Sequence, residues 1–117
     1  MLNLIQALLF CGFEEVTGRG EPVLFDEYVW DESLTVAEAF GLADDWQGWD
    51  WQKNNTRTFW RTYEENCNRD FDEVVVCCDR ILIVDRTHKR LATTCRCKPE
   101  GCALAAELVR AWFATGR

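Results

Sequence analysis

The sequence predicts a single α+β domain over residues 1–117, with about six short strands in antiparallel β-hairpins and N- and C-terminal helices packed on the sheet. Three observations predict this class. An apolar helical stripe opens the chain, another closes it, and β-branched or aromatic runs separated by turn signals fill the middle. At 117 residues the chain can bury a core without a disulfide or a metal. The expected order of elements is α-ββ-α-ββ-ββ-α.

The first half is expected to open with a helix and a hairpin. Asn3 can cap a helix that runs to Cys11 and is ended by Gly12. The apolar spacing places four residues on the buried face of this helix: Leu4, Ile5, Leu8 and Leu9. Residues 13–17 and 22–30 then flank a turn at residues 18–20.

A short second helix and another hairpin follow. Thr35 and Glu38 have the spacing of a capping box, and the helix that they open is expected to end at Gly41. Residues 46–52 and 56–63 are rich in Thr, Trp, Phe and Tyr, which suit a half-buried strand surface. They predict a hairpin that turns at residues 53–55.

The last part is expected to hold a third hairpin and the C-terminal helix. Residues 74–84 form one long β-branched run that turns at residues 85–89 and returns as residues 90–97. Pro99 suits the first turn of a helix that ends at Gly116. The residues expected to be buried where hairpin and helix meet are Val76, Ile81, Ile83, Leu108, Val109 and Trp112.

The chain has seven cysteines, an odd number for a disulfide framework: Cys11, Cys67, Cys77, Cys78, Cys95, Cys97 and Cys102. The apolar opening lacks a basic flank and is too short to span a bilayer. We therefore expect a cytoplasmic protein with reduced thiols, no cofactor and no membrane association.

A zinc site is the alternative interpretation of these cysteines. The turn at residues 85–89 puts Leu91 opposite Ile83 or Val84, which brings the end of the returning strand to the start of the long run. The possible ligands are Cys77 or Cys78 with Cys95, Cys97 and Cys102. Their spacing departs from the tight turns of structural zinc sites, so no metal is expected.

No catalytic constellation is visible, and we expect a protein that is not an enzyme. The only histidine, His88, lies on a hairpin turn about 23 Å of extended chain from Cys95. The only serine is Ser33. No family motif, phosphate-binding loop or dinucleotide fingerprint occurs.

The charge distribution carries the functional hypothesis. Residues 1–50 hold eleven carboxylates against one basic residue, in a chain of net charge −7. The candidate partner-binding residues are Glu14, Glu15, Asp26, Glu27, Asp31, Glu32, Asp44, Asp45 and Trp46. The alternative is that these carboxylates only solvate the surface, while Trp49 and Trp51 pack in the core.

The sequence therefore predicts a small acidic protein-interaction module whose partner is a protein with a basic surface. By analogy of size and charge, it resembles stoichiometric inhibitors from phages or mobile elements that occupy a nucleic-acid-binding surface. Direct nucleic-acid binding is disfavoured because a protein with a pI near 4.7 repels phosphate. The alternatives are a cysteine-based metal-binding domain and a small-ligand-binding domain.

Overall fold

In the part of the chain that the structure describes, five antiparallel strands form one sheet with two helices packed on it, which confirms the α+β class. The computed structural model describes residues 1–16, 38, 40–42, 56–62 and 71–114. In chain order the elements are α1 (Leu2–Phe10), β1 (Glu14–Glu15), β2 (Arg57–Thr62), β3 (Phe71–Val76), β4 (Arg80–Asp85), β5 (Arg90–Cys95) and α2 (Pro99–Phe113). The strands lie side by side in the order β1-β2-β3-β4-β5.

Helix α1 ends at Gly12, as predicted. Gly12 has a φ of +90°, and its N–H donates to the carbonyl of Leu9 (3.2 Å) while the N–H of Phe13 donates to that of Leu8 (2.9 Å). This pair of hydrogen bonds is the Schellman motif, which needs a left-handed residue where glycine stands. The expected burial of Leu9 is wrong, because the buried stripe is centred on Leu4, Ala7 and Leu8.

The two faces of the sheet are both covered. Side chains of one face pack with the helices in a core made of Leu4, Ala7, Leu8, Cys11, Phe13, Phe59, Val74, Val76, Ile81, Ile83, Ala105, Ala106, Val109 and Phe113. Side chains of the opposite face pack in a second cluster made of Phe40, Val75, Cys77, Leu82 and Val84, with Leu42, Trp60 and Leu91 at its margin. A sheet buried on both faces has continuous apolar strands rather than alternating ones.

The expectation that residues 74–84 form one strand is wrong. They form the end of β3, a tight turn and most of β4, and the N–H of Cys77 donates to the carbonyl of Arg80 across the turn (2.8 Å). Val76 pairs with Ile81 and Val74 with Ile83. The local signal for this turn was the charged pair Asp79 and Arg80, which interrupts the apolar run.

The second predicted hairpin also needs correction. Strand β2 pairs with β3 along its length and with β1 at Phe59 and Trp60. The N–H of Val16 donates to the carbonyl of Thr58 (2.8 Å) and extends the pairing with β1. Described strands therefore occupy both edges of β2 at residues 58–60, where the prediction had placed residues 46–52 on one edge. Residues 46–52 themselves lie outside the described part of the chain, as do 18–20 and 22–30.

Helix α2 begins at Pro99, as predicted, and packs closely on the end of β5. A Cβ built on Gly101 would lie 1.6 Å from the carbonyl oxygen of Cys95, so only glycine permits this approach. Among the predicted core residues, Val76, Ile81, Ile83 and Val109 are buried. Leu108 and Trp112 are only partly buried at the margin of the core, which corrects the expectation for both.

The turn between β4 and β5 is held by a buried carboxylate. Asp85 is 2% exposed, and its Oδ2 accepts a hydrogen bond from Nε of Arg90 (2.6 Å) and lies 2.9 Å from Nδ1 of His88. Burial by itself raises the pKa of Asp85, but the hydrogen bonds from Arg90 and His88 outweigh burial and hold the pKa below its ordinary value of 3.8. The depressed pKa means that the folded state favours the ionised form.

Asp85 should therefore contribute to the acid sensitivity of the fold. Its contribution is fully present above pH 3.8, the ordinary value, and is lost as the pH falls through the lower pKa of the folded state. We expect Asp85→Asn to cost about 1–3 kcal/mol at pH 7 and to flatten the dependence of stability on pH below about 4. Urea unfolding between pH 2 and 7 measures both effects. Glu107→Gln, on the exposed side of α2, is the matched control and should keep the wild-type pH dependence.

Candidate functional site

Two of the nine predicted partner-binding residues lie on β1, at one end of the sheet. Glu14 and Glu15 are both exposed. Glu15 accepts two hydrogen bonds from Arg57 of β2, from Nη2 to Oε1 (2.6 Å) and from Nε to Oε2 (2.8 Å), and this contact raises the pKa of Arg57. The other seven lie outside the described residues: Asp26, Glu27, Asp31, Glu32, Asp44, Asp45 and Trp46.

The cysteines of the C-terminal half gather where the β3–β4 turn meets the end of β5. Val84 pairs with Leu91, which is one of the two partners that the sequence predicted, and the N–H of Arg96 donates to the carbonyl of Asp79 (2.9 Å), continuing the same register. That register brings Cys97 to Cys78 at the tip of the turn. We call Cys78, Cys95, Cys97 and Cys102 the cysteine corner.

The other two described cysteines lie elsewhere. Cys77 is buried in the second cluster, where burial raises the pKa of its thiol to about 12. Cys11 is buried between α1 and α2, and burial also raises the pKa of its thiol. Both side chains behave as small hydrophobic core residues.

The electrostatics of the cysteine corner disfavour nucleophilic catalysis. Loss of solvent, and then the neighbouring Cys95 thiol, raise the pKa of Cys97. A catalytic thiol has a lowered pKa or a base within hydrogen-bonding distance. His88 instead contacts Asp85 in the turn before β5, at the opposite end of the strand from Cys95.

The described residues offer no ready metal centre. Within residues 1–16, 38, 40–42, 56–62 and 71–114, no three His, Cys, Asp or Glu side chains lie close enough together to hold a metal ion. The six described cysteines are free thiols. The register of β4 and β5 therefore brings thiols near one another, but it does not arrange them as a tetrahedral ligand set.

An open cleft of about 420 Å³ adjoins the cysteine corner, at the N-terminal ends of the two helices. It is lined by Met1, Asn3, Arg96, Cys97, Pro99, Cys102 and Ala103. At the other end of the helix pair, Cys11 lies against Val109, with its Sγ 3.8 Å from the carbonyl oxygen. The two helices therefore run parallel, and one end of the pair opens onto the cleft.

Helix α1 also presents apolar side chains to solvent, which the sequence analysis missed. Leu2 is 68% exposed, Leu9 59% and Phe10 78%. The helix carries no charged side chain in its sequence LNLIQALLF. A helix with apolar side chains on its exposed side as well as on its buried side differs from an ordinary amphipathic surface helix, and an apolar run interrupted only by Asn3 and Gln6 was the available signal.

Comparison of the chain with protein-family models, with curated proteins and with solved structures found no match. Within the described part of the chain, neither helix has the length and apolar character needed to cross a membrane.

Proposed function

We propose that this protein is a protein-interaction module that uses its acidic N-terminal half to occupy a basic surface on a partner protein. The observation that carries the proposal is the separation of charge along the chain. Eleven carboxylates and one basic residue stand in residues 1–50, whereas an ordinary soluble surface intersperses the two signs. A surface of one sign accelerates the encounter with an oppositely charged partner and discriminates against others.

The described residues add support from geometry. Glu14 and Glu15 follow α1 directly and are exposed on the end strand, beside a helix that exposes Leu9 and Phe10. Protein interfaces commonly combine an apolar centre with a polar rim. A partner with basic residues around an apolar patch would complement this arrangement.

The finer form of the proposal is stoichiometric inhibition. A small acidic protein that occupies the nucleic-acid-binding surface of its partner imitates the charge of phosphate and needs no chemistry of its own. Phage and mobile-element proteins of this kind provide the analogy, which rests on size and charge.

Small-ligand binding is the second candidate, and one observation favours it. The cleft of about 420 Å³ has Arg96 among its lining residues, and ligand sites commonly measure 300–1,000 Å³. The cleft is open rather than enclosed, however, and its lining offers few convergent polar groups. We therefore place interaction through the acidic half first.

Charge reversal tests the interaction proposal. We expect the quadruple variant Glu14→Lys, Glu15→Lys, Asp26→Lys and Glu27→Lys to lose the partner that the wild-type protein captures from its source cell. The reason is that attraction to Lys or Arg on the partner becomes repulsion. With the purified partner, the wild-type association rate should fall about tenfold or more as salt rises from 0.05 to 0.5 M, because screening shortens the range of exposed charges.

The control variant reverses charge on helix α2, in the C-terminal half of the chain. Glu100→Lys and Glu107→Lys, both on exposed positions of α2, should leave capture unchanged. Circular dichroism checks that all variants fold, and loss of the exposed Glu15–Arg57 pair alone should cost no more than about 1 kcal/mol. Partner binding that survives both the quadruple reversal and high salt contradicts the proposal.

A further inference from the structure

Strand β5 lies at the end of the sheet opposite β1. It pairs with β4 on one side without a bulge, and within the described part of the chain no strand lies on its other side. Five of its six residues are partly exposed. Residues 91–95 include no charged side chain and no proline. Native sheets commonly guard an edge with lysine, proline or a bulge, so an edge without these is a template for pairing with another strand.

The groups that this edge offers for pairing belong to alternate residues. The N–H of Arg96 donates to the carbonyl of Asp79 (2.9 Å), which makes these two residues a hydrogen-bonded pair. Antiparallel pairs alternate between hydrogen-bonded and non-hydrogen-bonded, and the register is unbroken from there to the start of β5. The N–H and C=O groups of Leu91 and Thr93 therefore point away from β4, whereas those of Ala92 face it.

Helix α2 packs over β4 and β5 and runs antiparallel to β5. Gly101 lies against Cys95 at the end of the strand. Trp112 lies against Arg90 at its start, with Cζ of Arg90 4.4 Å from the ring centroid. Between these two contacts the strand and the helix each rise about 16 Å, so they run side by side over the whole length of β5.

A ridge of apolar side chains on α2 accompanies the strand edge. Leu104, Leu108 and Trp112 recur every four residues and therefore share one face of the helix. Leu104 is 50% exposed, and the other two side chains are only partly buried. Leu108 lies level with Ala92, since three residues of strand and seven of helix both rise about 10 Å from the contact between strand end and helix start.

We propose that two copies of this chain associate through β5 and α2 about a two-fold axis, so that their two five-stranded sheets become continuous. The axis passes beside Ala92. Leu91 of each copy then pairs with Thr93 of the other, and each pair exchanges both of its N–H···O bonds. A register centred on Thr93 would instead need the carbonyl of Cys95, which lies against Gly101.

The second copy is the occupant because the surface complements itself. The axis beside Ala92 brings Leu108 of the two copies together and places Leu104 of each against Trp112 of the other. Because α2 packs over both β4 and β5, its symmetry mate lies about two strand spacings away. That distance is about 10 Å, an ordinary separation for packed helices.

Charge and area also favour a second copy. Arg90 of one strand lies opposite Thr94 of the other, so no like charges oppose each other along the paired strands. The exposed Glu14 and Glu15 lie on β1, at the far edge of the sheet. The face is about 20 Å long and about 20 Å high, which corresponds to on the order of 600 Å² of accessible surface per copy. Since stable interfaces bury about 1,200 Å² in total or more, we expect a dissociation constant on the order of 10 μM.

Sedimentation of the full-length protein under reducing conditions tests the association. Between about 1 and 500 μM, on either side of the expected dissociation constant, the mass should rise from 13.6 kDa toward twice that value. Amide exchange locates the contact. The N–H groups of Leu91 and Thr93 should exchange about tenfold more slowly in the concentrated protein, whereas that of Ala92 should exchange equally slowly at both concentrations.

Variants of the two elements test the interface. Leu104→Glu places a charge against Trp112 of the other copy and should weaken the dimer about 30-fold or more, while the monomer keeps its fold because this side chain is exposed. Leu9→Glu is the matched control, since Leu9 is also apolar and 59% exposed but lies on α1, and it should change the dissociation constant less than about twofold. Thr93→Pro removes an outward N–H and should weaken the dimer about tenfold. If Thr93→Pro fails to fold, Leu104→Glu and amide exchange decide the question.

A protein that stays at 13.6 kDa over the whole range overturns the proposal. A dimer that Leu9→Glu dissociates and Leu104→Glu does not assigns the contact to α1, and a dimer without protection of Leu91 and Thr93 excludes strand pairing. Protection of these two amides only in complex with a different protein would give the edge to that protein. None of the variants removes a carboxylate, so loss of self-association and loss of the acidic interaction are observed separately.

Discussion

Replacing Phe113 with alanine is expected to lower the free energy of unfolding by about 3–5 kcal/mol, as truncations of buried aromatic side chains do. Phe113 is 1% exposed at the end of α2. Its ring meets that of Phe13 edge to face, with centroids 5.1 Å apart, and Cζ of Arg61 lies 4.9 Å from the centre of the ring. Truncation removes these contacts and leaves a cavity between both helices and the sheet. Urea unfolding at pH 7 measures the loss.

The controls use neighbouring positions on α2. Leu104→Ala, at a side chain 50% exposed, should change stability by less than about 1 kcal/mol. Trp112→Ala should fall between the two, because its ring is only partly buried and Arg90 lies over it at 4.4 Å from the centroid. A Phe113→Ala variant no less stable than Leu104→Ala would show that the end of α2 does not pack on the core as described.

Elements with local signals could be predicted from the sequence. Gly12 ends α1 because the αL conformation is needed there, and Pro99 begins α2 because a first-turn residue needs no N–H donor. The turn after Asp85 set the register of β5 on β4 correctly. In each case a few adjacent residues determine the geometry, so the local sequence is sufficient to predict it.

Elements that depend on distant pairing could not be predicted in the same way. The pairing of β2 with β3 joins Arg57 to Val76, nineteen positions apart, and the sequence between the two strands does not fix that register. Residues 74–84 lack alternation because both faces of the sheet are buried, and only the charged pair Asp79 and Arg80 indicated the turn. Strand periodicity marks a boundary only where one face meets solvent.

The candidate sites show the same difference between features with a local sequence signal and features without one. The approach of Cys97 to Cys78 followed from the predicted register. The end of β5 did not, because the predicted strand ran on to Cys97, whereas the strand ends at Cys95 and residues 96 and 97 form a turn into α2. The exposed face of α1 could not be predicted, because an apolar sequence predicts burial whereas Leu2, Leu9 and Phe10 are exposed.

A buried arginine of β2 joins that strand to β3 and to the ends of both helices. Arg61 of β2 is 8% exposed and lies directly opposite Asp72 of β3. Its Nε donates to Oδ2 of Asp72 (3.2 Å), and its Nη1 donates to the carbonyls of Phe113 (2.8 Å) and Cys11 (3.4 Å). Phe113 is the last residue of α2, and Cys11 is the C-cap of α1. One guanidinium therefore satisfies carbonyls at the C-terminal ends of both helices, where a positive charge is favoured.

Arg61→Met should accordingly cost about 3–5 kcal/mol, although methionine is apolar and of comparable length. The substitution removes the ion-pair partner of Asp72, whose carboxylate is fully buried. It also leaves two helix-end carbonyls without their donor. Urea unfolding of Arg61→Met, Asp72→Asn and the double variant gives the coupling between the two side chains, which should be about 1–3 kcal/mol.

Arg61→Lys is the matched control. It keeps the charge but cannot reach the carboxylate and both carbonyls with one planar group, so its cost should be smaller than that of Arg61→Met yet measurable. Additive single losses would show that Arg61 and Asp72 stabilise the fold independently, against the shared network described here.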